Sequence, residues 1–327
     1  MIYLETGSTD PSYNLAFEEY VLNHRTQGDI LILWQNDNAV IVGRNQNASE
    51  EIDGGFVAEH GIRVVRRNTG GGAVYHDLGN LNYSFITDAV QDAAAHKNGF
   101  SEMVSGALRG LGLDAEVSGR NDILVSGYKI SGTAQQVCKG RILHHGTLLF
   151  DSDMGMISGA LTPDPAKFAS KSVKSVRSRV GNIRQLLAAD MTLDGFWGYL
   201  KTALSNDLHR EELTPAELAE VAKLKAEKYD TWDWNFGKSP AYDLRSRKRF
   251  AGGTLDVRLT VKKGIIENVK IYGDFLAVSP VANLEDALIG CAYREDAIEG
   301  AIAGVALVEC LGGITKEEFI DTLLDNN

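Results

Sequence analysis

The chain has 327 residues, of which 44% are hydrophobic and 24% are charged, and its formal net charge is -11. This length favours one large domain with a smaller one, and the composition is that of an ordinary globular protein rather than a disordered one. The acidic balance excludes a general nucleic-acid-binding protein, because such a protein needs a broad basic surface to contact phosphates.

The residues carry no sign of export or of a membrane anchor. No apolar run reaches the length needed to cross a bilayer, and the segment from Met1 to Thr9 lacks the basic start and apolar core of a signal peptide. The three cysteines have no paired or metal-like spacing, which favours reduced thiols. We therefore expect a cytoplasmic protein without membrane or nucleic-acid partners.

The first part of the chain mixes helices and short strands. Asp10 as N-cap and Pro11 at the first helical position predict a helix that ends near Gln27. Segments rich in β-branched and aromatic residues predict strands, and one further helix lies among them at 101–111. The predicted strands are 30–34, 39–42, 62–66, 81–87, 122–125, 128–135 and 141–150. Because strands and helices do not alternate regularly, we predict an α+β fold.

Helices dominate the next part, and a hairpin precedes the last helix. The sequence predicts helices at 191–208 and 214–229, the second opened by Thr214 and Glu217 in a capping-box pattern. Alternating apolar residues predict a hairpin with strands 255–261 and 265–271. Thr315 and Glu318 form a second capping box before a final helix. We place a large domain at 1–247 and a small accessory domain at 248–327.

A polar, glycine-rich segment with the sequence RRNTGGGAVYHDLGN lies between two of the predicted strands. Consecutive glycines leave the backbone open to close approach by a ligand, and an arginine beside them could bind a carboxylate or phosphate. The segment has neither the Walker pattern nor the dinucleotide-binding fingerprint. A glycine-rich surface turn with solvated arginines is the alternative. The residues of interest are Arg66, Gly70, Gly71, Gly72, His76 and Asn80.

A second segment, GRNDILVSGYKISGTAQQ at 119–136, places a cation and a carboxylate near one another in the sequence. Lys129 lies in a predicted strand beside glycines, where its ammonium could stabilise charge that develops on a phosphate. Asp122 is a candidate ligand for Mg²⁺, which binds through one or two carboxylates plus substrate phosphates. Taken singly, each residue is better explained as a solvated lysine or a turn-capping aspartate.

Two weaker signals follow along the chain. His144 and His145 in HHGTLLF have no helical partner, so core hydrogen bonding is favoured over metal binding. The stretch 165–189 contains no acidic residue, and it is interpreted equally well as a mobile loop over an anionic ligand or as a solvated basic face. Its basic residues are Lys167, Lys171, Lys174, Arg177, Arg179 and Arg184.

Taken together, these segments resemble the lipoate-protein ligase A family, within the wider biotin and lipoate ligase fold. The resemblance covers residues 1–190 most strongly, and WDWNFGKSPAY with the later hairpin and helices resembles the family's small C-terminal domain. It implies a catalytic domain of mixed sheets with flanking helices. The segments that carry it are RRNTGGGAVYHDLGN, GRNDI, KISGTAQ, HHGTLLF and KFASKSVKSVRSRVGNI.

The resemblance implies an enzyme that uses ATP and Mg²⁺ to convert lipoate to lipoyl-AMP. The lipoyl group would then pass to a lysine of an E2 lipoyl domain or of the glycine-cleavage H protein. Lys129 takes the catalytic position, with Asp122 as the metal candidate, and Val74, Tyr75 and Phe85 could sheath the acyl chain. The residues implied around lipoate and the adenylate are Arg66, Gly70, Gly71, Gly72, Ala73, Val74, Tyr75, His76, Asn80, Thr133, Ala134, His145 and Lys174.

Three rival functions remain open on the sequence. An octanoyl or lipoyl amidotransferase needs a reactive thiolate, and Cys138 is the cysteine nearest the motifs, although not where that class is expected to carry it. A biotin-protein ligase typically reads GRGR where this chain has GRNDI. A protein that binds lipoate without catalysis is the third, and the intact Arg66, glycines and Lys129 argue against it.

Overall fold

The computed structural model describes residues 1–89, 93–119, 121–162, 180–205, 207–236, 244–262 and 264–324, and only the backbone of residues 49, 50 and 93–98. The strands are β1 (Ile2–Glu5), β2 (Ile30–Trp34), β3 (Ala39–Val42), β4 (Arg63–Arg66), β5 (Val74–His76), β6 (Asn80–Asp88), β7 (Ala115–Ser118), β8 (Asp122–Val125), β9 (Tyr128–Cys138), β10 (Arg141–Leu149), β11 (His209–Arg210), β12 (Leu244–Phe250), β13 (Gly253–Lys262) and β14 (Ile265–Gly273).

The helices lie between and after these strands, and a π-helical turn at Lys225–Tyr229 directly follows α8. They are α1 (Pro11–His24), α2 (Ala48–Glu51), α3 (Gly54–Glu59), α4 (Ala93–Gly110), α5 (Met154–Ala160), α6 (Ile183–Leu186), α7 (Leu193–Leu204), α8 (Pro215–Leu224), α9 (Trp232–Asn235), α10 (Ala282–Leu288), α11 (Glu295–Ile302), α12 (Leu307–Leu311) and α13 (Lys316–Leu324). Among the described helices, none combines the length and the apolar character that a bilayer crossing requires.

The centre of the molecule is a sheet with the strand order β11-β1-β2-β6-β10-β9-β8-β7. Its β1 pairs are parallel and the other pairs are antiparallel. Strand β2 reads as an unbroken apolar run because both of its faces are buried. Leu31 and Leu33 face the core that includes α4 and α7, whereas Ile32 and Trp34 face α1.

A smaller sheet with the order β4-β3-β5 lies on the far side of α1. Ile41 and Val65 pack in the α1 core, while Val40 and Val42 join Val57 in the separate core formed with α2, α3 and α5. Helix α1 is therefore enclosed between two sheets, and polar groups on it can reach both.

The C-terminal unit is the antiparallel sheet β12-β13-β14 covered by α10 to α13, with a core of its own. It contacts the large domain through backbone groups: Gly273 N–H donates to Asn45 O at 2.7 Å, and Gly71 N–H donates to Phe275 O at 3.3 Å. The two-domain division remains a prediction, and because β12 begins at Leu244, its natural boundary precedes that residue rather than following residue 247.

The predicted α+β class and the main elements are confirmed. Helix α1 begins after Asp10, whose carboxylate accepts from the backbone of Ser12 and Tyr13, and both capping-box patterns form. The resemblance of WDWNFGKSPAY to the small domain stays a prediction; its described residues, 232–236, include α9, which packs against β4 of the large domain. The sequence also did not predict β5, since its three residues are too few to show a periodicity.

Candidate functional site

The glycine segment forms a loop between β4 and β5 whose shape is set from within. Gly71 has a φ of +90°, and a Cβ on Gly43 would lie 1.9 Å from the Gly71 carbonyl oxygen, so the two backbones meet where no side chain fits. The buried Arg67 guanidinium donates to the carbonyl oxygens of Gly70 at 2.6 Å and Gly72 at 2.8 Å. Burial lowers the pKa of Arg67 to about 10, so the group stays charged at neutral pH.

Arg66, which was expected to bind the ligand, is occupied by the protein backbone. Its guanidinium donates at 2.6 to 3.1 Å to the carbonyl oxygens of Gly43, Arg44, Gln46, Trp234 and Asn235. Burial lowers the pKa of Arg66 to about 10. A buried guanidinium needs acceptors of this kind, because a charge without partners is costly away from water. The ligand role of Arg66 therefore stays a prediction, and the contacts favour a structural one.

A buried relay of hydrogen bonds joins the loop to α1. Thr69 Oγ1 lies 2.8 Å from His145 Nε2, and His145 Nδ1 lies 2.8 Å from Glu18 Oε1. Arg67 Nε–H donates to Thr69 Oγ1 at 3.0 Å. We assign the ring proton of His145 to Nδ1, which faces the Glu18 carboxyl group, so that Nδ1 donates to Glu18 and Nε2 accepts from the Thr69 hydroxyl. Ser84 Oγ donates to the same Glu18 oxygen at 2.5 Å. His145 thus serves a core network, as the sequence indicated.

Polar side chains line the α1 face of the large sheet. Residues paired across neighbouring strands share a face, and the register pairs His145 with Ser84 and Ala134, and Gly132 with Asp122. Thr147, paired with Asn82, accepts from Gly132 N–H at 3.2 Å. We call this row the polar stripe; its members are Asn82, Ser84, Ala134, Gly132, His145, Thr147 and Asp122.

The polar stripe ends at an ion pair between Lys129 Nζ and Asp122 Oδ1, 2.7 Å apart, with both side chains about one-third exposed. A Cβ on Gly132 would lie 3.6 Å from Lys129 Nζ, so the glycine leaves space beside the ammonium. The described end of the basic stretch returns here, because Gly181 N–H donates to Lys129 O at 3.1 Å. Given strand spacings of about 4.8 Å and 3.3 Å per residue, the stripe from His145 to Asp122 spans about 12 Å.

Several buried polar atoms near the stripe have no hydrogen-bond partner within the described part of the chain, namely Asn80 Oδ1, Asn82 Nδ2 and His76 Nε2. His76 is buried, its other ring nitrogen lies 3.0 Å from Asn36 Nδ2, and burial together with Arg67 lowers its pKa to about 3. A neutral imidazole and two amides, each with one polar atom left without a partner, are typical of a site that a ligand or water completes.

Other predicted residues have different surroundings. Val74 packs on the α1 side, whereas Tyr75 lies in the core with α2, α3 and α5, and Phe85 stacks on Phe100 in the α4 core. Tyr75 and Phe85 therefore do not face the polar stripe, and the structural interpretation of their side chains is favoured. Thr133 donates from its backbone N–H to Asn121 O at 2.8 Å. Ala73 packs with the Tyr75 core.

The basic stretch is described only at its end. Lys167, Lys171, Lys174, Arg177 and Arg179 lie outside the described residues. Arg184 is exposed and pairs with Asp151 at 2.8 Å and Asp190 at 3.2 Å, so the solvated interpretation holds for this member.

Sequence reasoning missed Glu18, Thr69 and the role of Arg67. A signal for Glu18 existed, since it lies three residues from both Leu15 and Val21 on the buried face of α1. An acid in phase with core residues indicates a buried partner. Nothing comparable marks Thr69, and Arg67 was marked only as a possible anion ligand beside the glycines, because the contacts of both residues depend on how the loop folds back.

Two protein-family models match most of the chain. The lipoyl protein ligase A/B catalytic domain model matches residues 10–205, and the bacterial lipoate protein ligase C-terminus model matches residues 239–323. The chain belongs to the lipoyl protein ligase A/B family. Its match to the first model includes the glycine loop, the polar stripe and the Lys129–Asp122 pair.

Individual members of the family agree with this assignment. The lipoate-protein ligase LplJ of Bacillus subtilis is 44% identical, over 99% of this chain and all of the relative. The crystal structure of P. falciparum LipL1 in complex with lipoate superposes with a TM-score of 0.80 at 25% identity, covering 99% of this chain and 98% of that one. A lipoate-protein ligase A bound with ATP covers 72% of this chain and 98% of its own, at 32% identity and a TM-score of 0.63.

Proposed function

We propose that this chain is a lipoate-protein ligase, which activates lipoate with ATP and transfers the lipoyl group to a lysine of an acceptor protein. The observation that carries the proposal is the polar stripe, which runs from a buried relay at His145 to the Lys129–Asp122 pair, whose side chains are about one-third exposed. Relatives of full length carry the name of this activity, one neighbour is solved with lipoate and another with ATP.

Lipoate combines an apolar chain and ring with a carboxylate, and the stripe offers both environments. Trp34 and Leu143 lie in the apolar core on the α1 side of the sheet, with Val74 packed against it, while the charged pair lies toward solvent. We place the acyl chain along the stripe with its carboxylate at Lys129. The span of about 12 Å suits a medium-length acid rather than a compact one.

In the first step, a carboxylate oxygen of lipoate attacks the α-phosphorus of ATP, and the bond to pyrophosphate breaks. The Lys129 ammonium lies where it can stabilise the negative charge that builds on the phosphate. The Asn121 carbonyl oxygen accepts from Thr133 N–H at 2.8 Å and from the Thr133 hydroxyl at 3.4 Å, which holds the backbone beside Asp122 at that end of the stripe.

Mg²⁺ fits this site only as a partner of the nucleotide. Groups of three or more His, Cys, Asp or Glu arranged for a metal do not occur among the described residues, and Asp122 is a single carboxylate. A lone carboxylate is enough for Mg²⁺ that keeps most of its ligands from phosphates and water. We propose that Asp122 holds Mg²⁺, which would supply charge neutralisation at the phosphates.

In the second step, the ε-amine of the acceptor lysine attacks the carbonyl carbon of the mixed anhydride, the bond to AMP breaks, and the amine loses a proton. No protein nucleophile takes part. Cys138 lies nine residues along β9 from Lys129, which is about 30 Å in a strand. Its Sγ donates to Asn23 Oδ1 at 3.2 Å instead. This distance argues against an amidotransferase that forms a thioester on Cys138.

The acceptor and the compartment are further parts of the proposal. We propose an E2 lipoyl domain, the glycine-cleavage H protein, or both as acceptors, because either presents a lysine to which lipoate is attached. The absence of paired spacing among the cysteines supports a reducing, cytoplasmic setting. Tyr75 stays a prediction that its place in the core with α2, α3 and α5 does not favour. The other predicted site residues remain proposed ligand contacts, namely Gly70, Gly71, Gly72, Ala73, Val74, His76, Asn80, Thr133, Ala134, His145 and Lys174.

The test is a reconstitution with purified protein, ATP, Mg²⁺ and lipoate, followed by addition of an E2 lipoyl domain or of H protein. Pyrophosphate release should require lipoate, and mass spectrometry should show one lipoyl group on the acceptor. Octanoyl-acyl carrier protein without ATP is the matched arm for an amidotransferase. Transfer in that arm alone would reject the ligase, and no transfer in either arm would favour a protein that only binds lipoate.

A further inference from the structure

The segment that joins the two domains contacts the glycine loop on both sides of Arg67. The family models end at residue 205 and resume at residue 239, so neither covers this segment. Its described part contains α8, the π-helical turn and α9. A π-helical turn is uncommon and is frequent at functional sites, which directs attention to the residues it presents.

Helix α9 holds the backbone where β4 ends and the loop begins. Asn235 Oδ1 accepts from Arg66 N–H at 2.9 Å, and Asn235 O accepts from the Arg66 guanidinium at 2.9 Å. Trp234 Nε1–H donates to Arg66 O at 2.8 Å. Side chains of α9 thus hydrogen-bond to both the backbone N–H and the backbone carbonyl oxygen of Arg66, as the backbone of a neighbouring strand would.

The π-helical turn holds the next part of the loop through Asn68. Lys228 Nζ donates to Asn68 Oδ1 at 2.8 Å, and Asn68 Nδ2 donates to Tyr229 Oη at 2.8 Å. Lys228 also pairs with both Glu19 oxygens, at 2.8 and 2.9 Å, and lies 4.1 Å from the Trp234 ring centroid. The ammonium therefore links α1, the loop and α9.

These contacts converge on the relay in the site. Asn68 precedes Thr69, whose hydroxyl reaches His145, and Glu19 follows Glu18, which holds the other side of that histidine. Only two residues separate Arg66 from Thr69. The contacts at Arg66 and Asn68 therefore fix the position of the Thr69 hydroxyl and of the glycines that follow.

We propose that Asn235 and Lys228 are positioning residues, which hold the glycine loop in the conformation that binds the acid. They act through Arg66 and Asn68 and do not contact the ligand. The inference rests on the proposed function for its substrate, lipoate. If the loop shifts, binding shared by the ground state and the transition state is lost, so the KM for lipoate rises more than kcat falls.

The test compares paired variants. Asn235→Ala removes the bond that Oδ1 accepts from Arg66 N–H and the bond that Nδ2 donates to Tyr229 O at 2.8 Å, whereas Asn235→Asp keeps an oxygen that accepts from Arg66 N–H. Lys228→Met removes the ammonium, and Lys228→Arg keeps a cation. Thr214→Ala is the matched control, because it removes the cap of α8 in the same segment without touching the loop. Each protein is measured for Tm, for kcat and KM of lipoate-dependent pyrophosphate release, and for lipoate Kd by calorimetry.

We expect Asn235→Ala and Lys228→Met to raise KM and Kd for lipoate by about tenfold or more, since a small misplacement can cost that much. Asn235→Asp and Lys228→Arg should recover most of the loss. Thr214→Ala should lower Tm and leave KM unchanged. An unchanged Kd for lipoate in Asn235→Ala or Lys228→Met overturns the proposal for that residue. If Thr214→Ala raises the Kd and KM for lipoate as much as these variants do, the proposal is overturned for both residues. Absence of turnover in the parent would reject the ligase instead, and Kd would still test the positioning.

Discussion

Gly43→Ala should displace the glycine loop, because the backbone of Gly43 meets that of Gly71 with no room for a side chain. The new Cβ would lie 1.9 Å from Gly71 O and 3.1 Å from Gln46 Oε1, so the Gly71 backbone must move by more than an ångström to reach ordinary contact. Added atoms in a packed interior cost about 1–3 kcal/mol. For a domain of this size each kcal/mol lowers Tm by about 2–4 °C, so we expect a decrease of about 2–12 °C.

Gly72→Ala is the matched variant, because a Cβ there has nothing within 4 Å and Gly72 has no positive φ. Its Tm should stay near that of the parent. Differential scanning calorimetry of the two variants, together with the KM for lipoate, checks the reasoning. Gly43→Ala should also raise KM, because displacing Gly71 shifts the loop that we propose binds the acid. Equal Tm values for Gly43→Ala and Gly72→Ala would refute the steric argument.

Three further predictions concern the relay, the charged pair and a buried histidine. Thr69→Val leaves Arg67 Nε–H and His145 Nε2 without partners, which should lower the free energy of unfolding by about 1–3 kcal/mol for each group. Urea unfolding should show this decrease, and Thr69→Ser, which keeps the hydroxyl, should mostly avoid it. Equal decreases in the two variants would contradict the relay. Lys129→Ala should lower kcat for adenylate formation by about 100-fold or more, while Cys138→Ala keeps its activity, and the reverse pattern in the same assay would reject the ligase mechanism. His76 titrates near 3 when folded but near 6.5 when unfolded, so the unfolded state binds more protons between these values and stability falls as pH drops through that window. His76 alone should lower the free energy of unfolding of the parent by about 1.4 kcal/mol for each pH unit in that window. Urea unfolding at pH 7 and 5 should show that His76→Gln lacks this contribution. The same change in the free energy of unfolding with pH in both proteins would contradict the assignment.

The sequence predicts the parts of this fold that depend on local patterns. Asp10 and Pro11 mark the start of α1, and the unbroken run Ile30–Trp34 marks a strand buried on both faces, because each signal lies within a few adjacent residues. The site was predicted only as segments. That Asp122 and Lys129 form an ion pair depends on the register of β8 with β9, and that Glu18 reaches His145 depends on α1 lying between two sheets. The spacing of these residues along the chain predicts neither contact.

Arg66 and Arg67 show why the glycine-rich motif misleads when it is interpreted one residue at a time. An arginine beside glycines is an obvious anion ligand if it is exposed, but both guanidinium groups here are buried, and a buried charge must find acceptors. Glycines supply them, because a loop without β-carbons can turn its carbonyl oxygens inward within reach of one guanidinium. The arginines and the glycines thus stabilise each other before any ligand arrives.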